Sequence, residues 1–171
     1  GTSFNFTNNE NPAWSEDGES LVFTRNGDIW IAEYACGDSG IEPGWDIGRI
    51  AAVAEYDSST HRASLANLGV THLSWSPDGK YISYCKNRLG GSGSDELHVL
   101  KLQDDGFSWV DTELINERMC VSNNESAQQT FDCFSPDSKW IAFTSVDTIY
   151  AVSLDGKKIV KILSNAEQAV W

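Results

Sequence analysis

The chain has 171 residues, 40% of them hydrophobic and 22% charged, with a formal net charge of −13. That length is enough for one domain with a real core, and its acidic surface repels phosphate backbones and anionic lipid, so nucleic acid is not an expected partner. No apolar run approaches the ~18 residues of a membrane span, so no membrane insertion is expected.

Residues 1–6 carry neither a basic n-region nor an apolar h-region, as in a secreted chain that has already lost its leader. Asn5 opens the first N-glycosylation acceptor, with Thr7 two residues on, and Asn124 opens a second with Ser126. Both lie in polar, Asn-containing stretches that read as surface loops.

Three segments then align. They are Asn11–Thr24 (NPAWSEDGESLVFT), Thr71–Tyr84 (THLSWSPDGKYISY) and Phe131–Thr144 (FDCFSPDSKWIAFT). In each, a short strand ends on an aromatic residue, Trp14, Trp75 or Phe134. A Ser-Pro-Asp-Gly-type turn follows, in which Pro pre-sets φ, Asp bonds back to the backbone and Gly accepts positive φ. Glu16 replaces Pro in the first copy and Ser138 replaces Gly in the third, so looser turns are expected there.

A second strand begins at once, over Ser20–Thr24, Tyr81–Cys85 and Trp140–Thr144, rich in β-branched and aromatic residues. Third strands are predicted over Asp28–Tyr34, Glu96–Leu102 and Thr148–Leu154. In the first repeat Arg49–Tyr56 is an alternative third strand, with an insertion between Cys36 and Ser59. A fourth strand is clearest over Lys157–Leu163, entered by the Asp155-Gly156 hairpin signal. Trp171, the last residue, stands where a further aromatic anchor is due.

Four antiparallel strands per repeat, each repeat opened by a turn motif, define a propeller blade. The predicted fold class is all-β: a β-propeller arc of about three four-stranded antiparallel blades plus the first strand of a fourth. The blades span approximately 11–68, 70–116 and 130–164, and 166–171 starts a further one. Anchor spacings exceed the ~40–50 residues of one blade between the first and second and between the second and third anchors, so those two blades carry insertions. One is the Gly/Ser-rich stretch 87–94.

Ser74-Trp75-Ser76-Pro77-Asp78-Gly79, and Ser135-Pro136-Asp137 with Ile141-Ala142-Phe143, resemble the TolB-like propeller repeats related to WD repeats. The resemblance recurs across most of the chain. It implies a protein-binding or assembly module. The expected partners are another protein or copies of the chain itself completing the propeller, because an arc leaves two apolar faces uncovered. The chain reads either as part of a longer protein or as one that shares blades between copies. An alternative is the propeller portion of a larger enzyme such as a prolyl-oligopeptidase-like peptidase.

Four cysteines, Cys36, Cys85, Cys120 and Cys133, allow two disulfides in three connectivities, or four buried thiols. No C-x-x-C pair supports zinc. Acidity, cysteines and acceptor sites together point to an extracytoplasmic (secreted or periplasmic) setting.

No G-x-S-x-G elbow, H-E-x-x-H or P-loop is present, so no enzymatic activity, cofactor or metal is expected. Among the histidines, His98 alternates with apolar neighbours as a core or blade-face residue, His72 sits in a first strand and His61 in a loop. Asp38 and Asp104-Asp105 lack the spacing of a calcium loop. Trp45 and Trp109, beside the insertions, are candidates for stacking on a glycan or anchoring a partner, or for pinning their own loops to the blade. Trp14, Trp75, Trp140 and Trp171 are expected in the core.

Overall fold

The computed structural model describes residues 9–25, 27–35, 44–51, 56–57, 62–63, 70–87, 95–104, 108–120, 134–145 and 148–164. Among them there are thirteen strands and no helix, and therefore no helix long and apolar enough to cross a membrane.

The first sheet joins β1 (Asn9–Trp14), β2 (Ser20–Arg25), β3 (Asp28–Ala35) and β4 (Gly44–Ala51) in chain order. A two-residue ladder, β5 (Tyr56–Asp57) with β6 (Arg62–Ala63), follows. The second sheet holds β7 (Val70–Trp75), β8 (Tyr81–Asn87), β9 (Asp95–Leu102) and β10 (Trp109–Cys120). The third joins β11 (Trp140–Ser145), β12 (Thr148–Ser153) and β13 (Ile159–Ser164). All pairings are antiparallel.

The repeat alignment is visible in the register. Trp14 pairs with Leu21, Trp75 with Ile82, and Phe134 forms an isolated bridge to Ile141. Both first strands bulge three residues before their tryptophan, where Asn11 (φ 52°) and His72 (φ 58°) adopt the left-handed region. Such a bulge re-aims the chain. At Asn11 it lets Nδ2 donate to the Val70 carbonyl of the second sheet at 2.9 Å.

The core lies between sheets. Val22 and Ile29 of the first sheet meet Leu73, Ile82, Tyr84 and Leu100 of the second, with Trp75 and Trp109 packed alongside. On the other face of the second sheet, Cys85, Leu97, Val99 and Leu114 meet Phe134, Ile141, Phe143 and Val152 of the third. The middle sheet is thus apolar on both faces, as stacked sheets require. Side chains buried on this scale each contribute about 1.5–3 kcal/mol of transfer free energy. The chain is all-β, and its three face-stacked sheets form an arc of a propeller.

Two expectations are corrected. The fourth strand of the first sheet is Gly44–Ala51, inside the region read as an insertion, which removes Arg49–Tyr56 as the alternative third strand; Asp28–Ala35 is the third, where it was expected. The Glu16 and Ser138 turns are not loose: the turn-closing N–H···O distances are 3.0 Å at Gly18, 2.9 Å at Gly79 and 2.8 Å at Ser138. Ser138 simply takes φ 54° in place of glycine.

Side chains explain that tightness. In every copy the serine donates to the aspartate two residues on, at 2.6 Å for Ser15–Asp17, 2.6 Å for Ser76–Asp78 and 2.7 Å for Ser135–Asp137. The same Oγ accepts the N–H five residues on, from Ser20, Tyr81 and Trp140. The Asp carboxylate accepts the N–H of Glu19, Lys80 or Lys139. A fourth copy, Ser153–Asp155 at 2.6 Å with Lys158 N–H on Ser153 Oγ, makes the β12–β13 hairpin.

Candidate functional site

Two regions combine chemistry with accessibility: the outer faces of the arc, and a polar cluster on the second sheet.

The outer face of the first sheet carries an aromatic cluster. Trp14, 56% exposed, lies 5.9 Å from the Trp45 ring, which meets Tyr34 edge-on at 5.3 Å. Ile47 beside them is also exposed. At the far end of the arc, Trp140, Ala151, Val160 and Ile162 line a trough of about 470 Å³ with Ser135, Pro136 and Asp137 at one side. Ala142, Ala151 and Val160 are register partners across β11, β12 and β13. Ile162 is 57% exposed.

This corrects the placement of Trp14, expected in the core: it occupies the face of the first sheet that is equivalent to the packed Trp75 face of the second. Trp140 borders the trough at intermediate burial. Trp75 is partly buried between sheets and meets Trp109 edge-on at 5.9 Å. Trp109 opens β10, whereas Trp45 lies on β4 with 47% of its surface exposed. Cys85 is buried between the second and third sheets. Cys120 ends β10. Asn5, Cys36, His61, Asn124, Cys133 and Trp171 lie outside the described residues.

The polar cluster was not anticipated. On β9, Glu96 and His98 share one face, and on β10 so do Asp111 and Glu113; Tyr84 on β8 is paired in register with His98. Tyr84 stacks on the imidazole at 5.1 Å and donates its hydroxyl to Asp111 Oδ2 at 3.0 Å. His98 Nδ1 is 3.2 Å from both Asp111 oxygens, and Nε2 is 3.3 Å from Glu96 Oε2. Burial alone pulls the His98 pKa down, but the Asp111 and Glu96 carboxylates outweigh it and hold it above the ordinary 6.5. Burial, then the Asp111 charge, push the Tyr84 phenol well up, so it stays a neutral donor. The sequence signal available was the i, i+2 spacing of Glu96 with His98 and of Asp111 with Glu113. Bringing the pairs together needs the β9–β10 register.

No family model matches the chain. It is 27% identical over 187 residues to the uncharacterized protein Atu1656 of Agrobacterium fabrum, an alignment covering 92% of this chain and 59% of that protein. A Bacteroides uniformis structure, provisionally named a 6-phosphogluconolactonase, superposes with a TM-score of 0.51 at 14% identity, over 94% of this chain and 42% of that one. The periplasmic gluconolactonase PpgL of Pseudomonas aeruginosa gives 0.50 at 14%, over 94% and 40%. The fold is therefore that of propeller proteins two to three times this length. The expectation that the chain has no enzymatic role is corrected by these matches, because proteins named as enzymes carry the same fold.

Proposed function

We propose that the chain is the blade-bearing part of an extracytoplasmic, TolB-like propeller that binds protein, and that its two outer faces dock further sheets of the same repeat. The observation that supports this most is the contrast between inner and outer faces. Equivalent positions are packed wherever a neighbouring sheet stands and exposed at both ends of the arc, at Trp14 and Trp45 on one side and at Val160 and Ile162 on the other. Each such side chain, about half exposed, gains further transfer free energy at about 25 cal/mol per Å² once it is covered. The aromatic-led face at the first sheet matches in kind the Trp75 face, which already docks on an apolar sheet face. Coverage of 59% of Atu1656 is consistent with further sheets in a longer chain, and two copies of this one placed head to tail present the same pair of faces. The extracytoplasmic setting draws on the acceptor sites at Asn5 and Asn124, on the cysteines, and on a fold shared with a periplasmic protein.

Light scattering on the 171-residue chain tests the docking. The chain should associate through its ends, and Ile162→Glu or Trp45→Glu should each return it to the monomer mass. A wild-type chain that stays monomeric at high concentration would overturn the reading.

A second reading, a propeller of an enzyme acting on a sugar lactone, takes its support from the names of the proteins that share the fold. Hydrolysis of 6-phosphogluconolactone by the chain, followed as acid release, decides it: turnover above the spontaneous rate supports it and none removes it.

A further inference from the structure

We propose that Glu96, His98 and Glu113 form a site for a divalent transition-metal ion of the zinc class, with Asp111 as the outer partner that orients the imidazole. One ligand atom from each of the three lies within 4.8 Å of the other two. Ligand atoms about 2.0–2.2 Å from one ion lie at most about 4.4 Å apart, so the three groups reach a common small ion with only small side-chain shifts.

Mere acidity does not make this a site; the imidazole does. His98 has only 9% of its side chain exposed, so both ring nitrogens need partners within the protein. Asp111 takes Nδ1 with both oxygens at 3.2 Å, and its own geometry is fixed by the Tyr84 hydroxyl at 3.0 Å. The charged ring donates to both carboxylates, whereas the neutral ring that keeps Nδ1–H on Asp111 presents its Nε2 lone pair to Glu96 Oε2 at 3.3 Å. A lone pair and a carboxylate repel at this distance unless a positive centre joins them: either a proton on Nε2 or a metal ion between Nε2 and the carboxylate. A carboxylate behind the ligating histidine is the usual outer support of such ions. One imidazole with two carboxylate oxygens suits zinc or manganese better than calcium, which takes six to eight oxygens. Tyr84 stacks on the ring at 5.1 Å with a 24° tilt and restricts its movement.

The cluster lies on β9 and β10, the third and fourth strands of the second sheet, and Glu113 is exposed, so an ion has a route from solvent. It is separate from the outer faces of the arc, and its standing does not depend on what docks there.

Calorimetric titration of the chelator-stripped, reduced chain with zinc tests the site. One ion per chain should bind. Glu113→Gln, an exposed change that leaves the core intact, should weaken it at least tenfold. Asp111→Asn should cost about 10–100-fold, and His98→Gln should abolish it. Zinc binding that Glu113→Gln leaves unchanged would place the ion elsewhere and overturn the proposal. So would the absence of binding at millimolar zinc.

Discussion

The indole N–H of Trp75 donates to the main-chain carbonyl of Ala13 at 3.1 Å, across the gap between the second sheet and the first. The aromatic anchor of one repeat is thus tied to the first strand of the repeat before it. Asn11 reinforces the junction from the other side through Val70. Trp75→Phe keeps most of the ring and removes only the donor, so it should cost about 1 kcal/mol. Trp75→Ala removes the packing against Trp109 as well and should cost about 3 kcal/mol or more. Urea unfolding of the two variants measures both. The third repeat uses Phe134 at this position and has no indole to offer. There, Ser138 Oγ instead accepts the N–H of Asp78 at 3.1 Å and joins the second and third turns.

The turns themselves give a second test. Ser76 is fully buried, and its hydroxyl both donates to Asp78 and accepts from Tyr81. Ser76→Ala leaves the part-buried N–H of Tyr81 without its partner and should cost about 1–2 kcal/mol. Ser153→Ala, in the exposed hairpin copy, should cost less, because water replaces the lost partner. Ser138 sets two effects against each other. Ser138→Gly relieves the positive φ, worth about 1 kcal/mol, but loses the bond to Asp78, worth about the same, so it should be near neutral. Ser138→Ala keeps the strain and loses the bond, and should destabilise. Chemical denaturation midpoints separate the three outcomes.

The same hydroxyls set the acid behaviour. The serine hydrogen bond, then the backbone N–H two residues on, hold Asp17 and Asp155 below the ordinary 3.8, Asp155 at about 2. Ser135 does the same for Asp137. For a carboxyl depressed in the folded state, the stabilisation is present above the unfolded pKa and disappears as pH falls through the folded one. Stability should therefore drop between about pH 4 and pH 2. His98 runs the other way: raised in the folded protein, its charged-state contribution is complete below 6.5 and is lost as pH rises through the higher folded value. Denaturation midpoints should peak at mildly acidic pH. Carboxyl NMR titration of Ser153→Ala should show Asp155 moving up towards 3.8.

Local chemistry made much of this fold legible. A serine and an aspartate two residues apart, after an aromatic, close the same turn wherever they occur, since their bonds reach only two to five residues along the chain. The second and third strands follow from β-branched and aromatic runs such as residues 20–24 and 148–152. The fourth strand β4 was hidden because GWDIGRIA mixes two glycines with charges, and its pairing to β3 comes from tertiary packing more than from propensity. The tightness of the Ser138 turn was hidden because the Ser135 and Asp137 side chains, not the residue in the glycine position, hold it. The Glu96–His98–Asp111–Glu113 cluster was out of reach for a different reason. It joins two strands whose register shifts at a bulge between Glu113 and Ile115, and a one-residue slip turns side chains to the opposite face.

Face-to-face stacking of consecutive repeats is best tested where Trp75 crosses from one sheet to the next. In a NOESY spectrum, the Trp75 indole Hε1, assigned by its disappearance in Trp75→Phe, should show cross-peaks to Ala13. An assigned Hε1 that sees only protons of its own sheet would mean that the repeats do not stack, and the propeller account would fall.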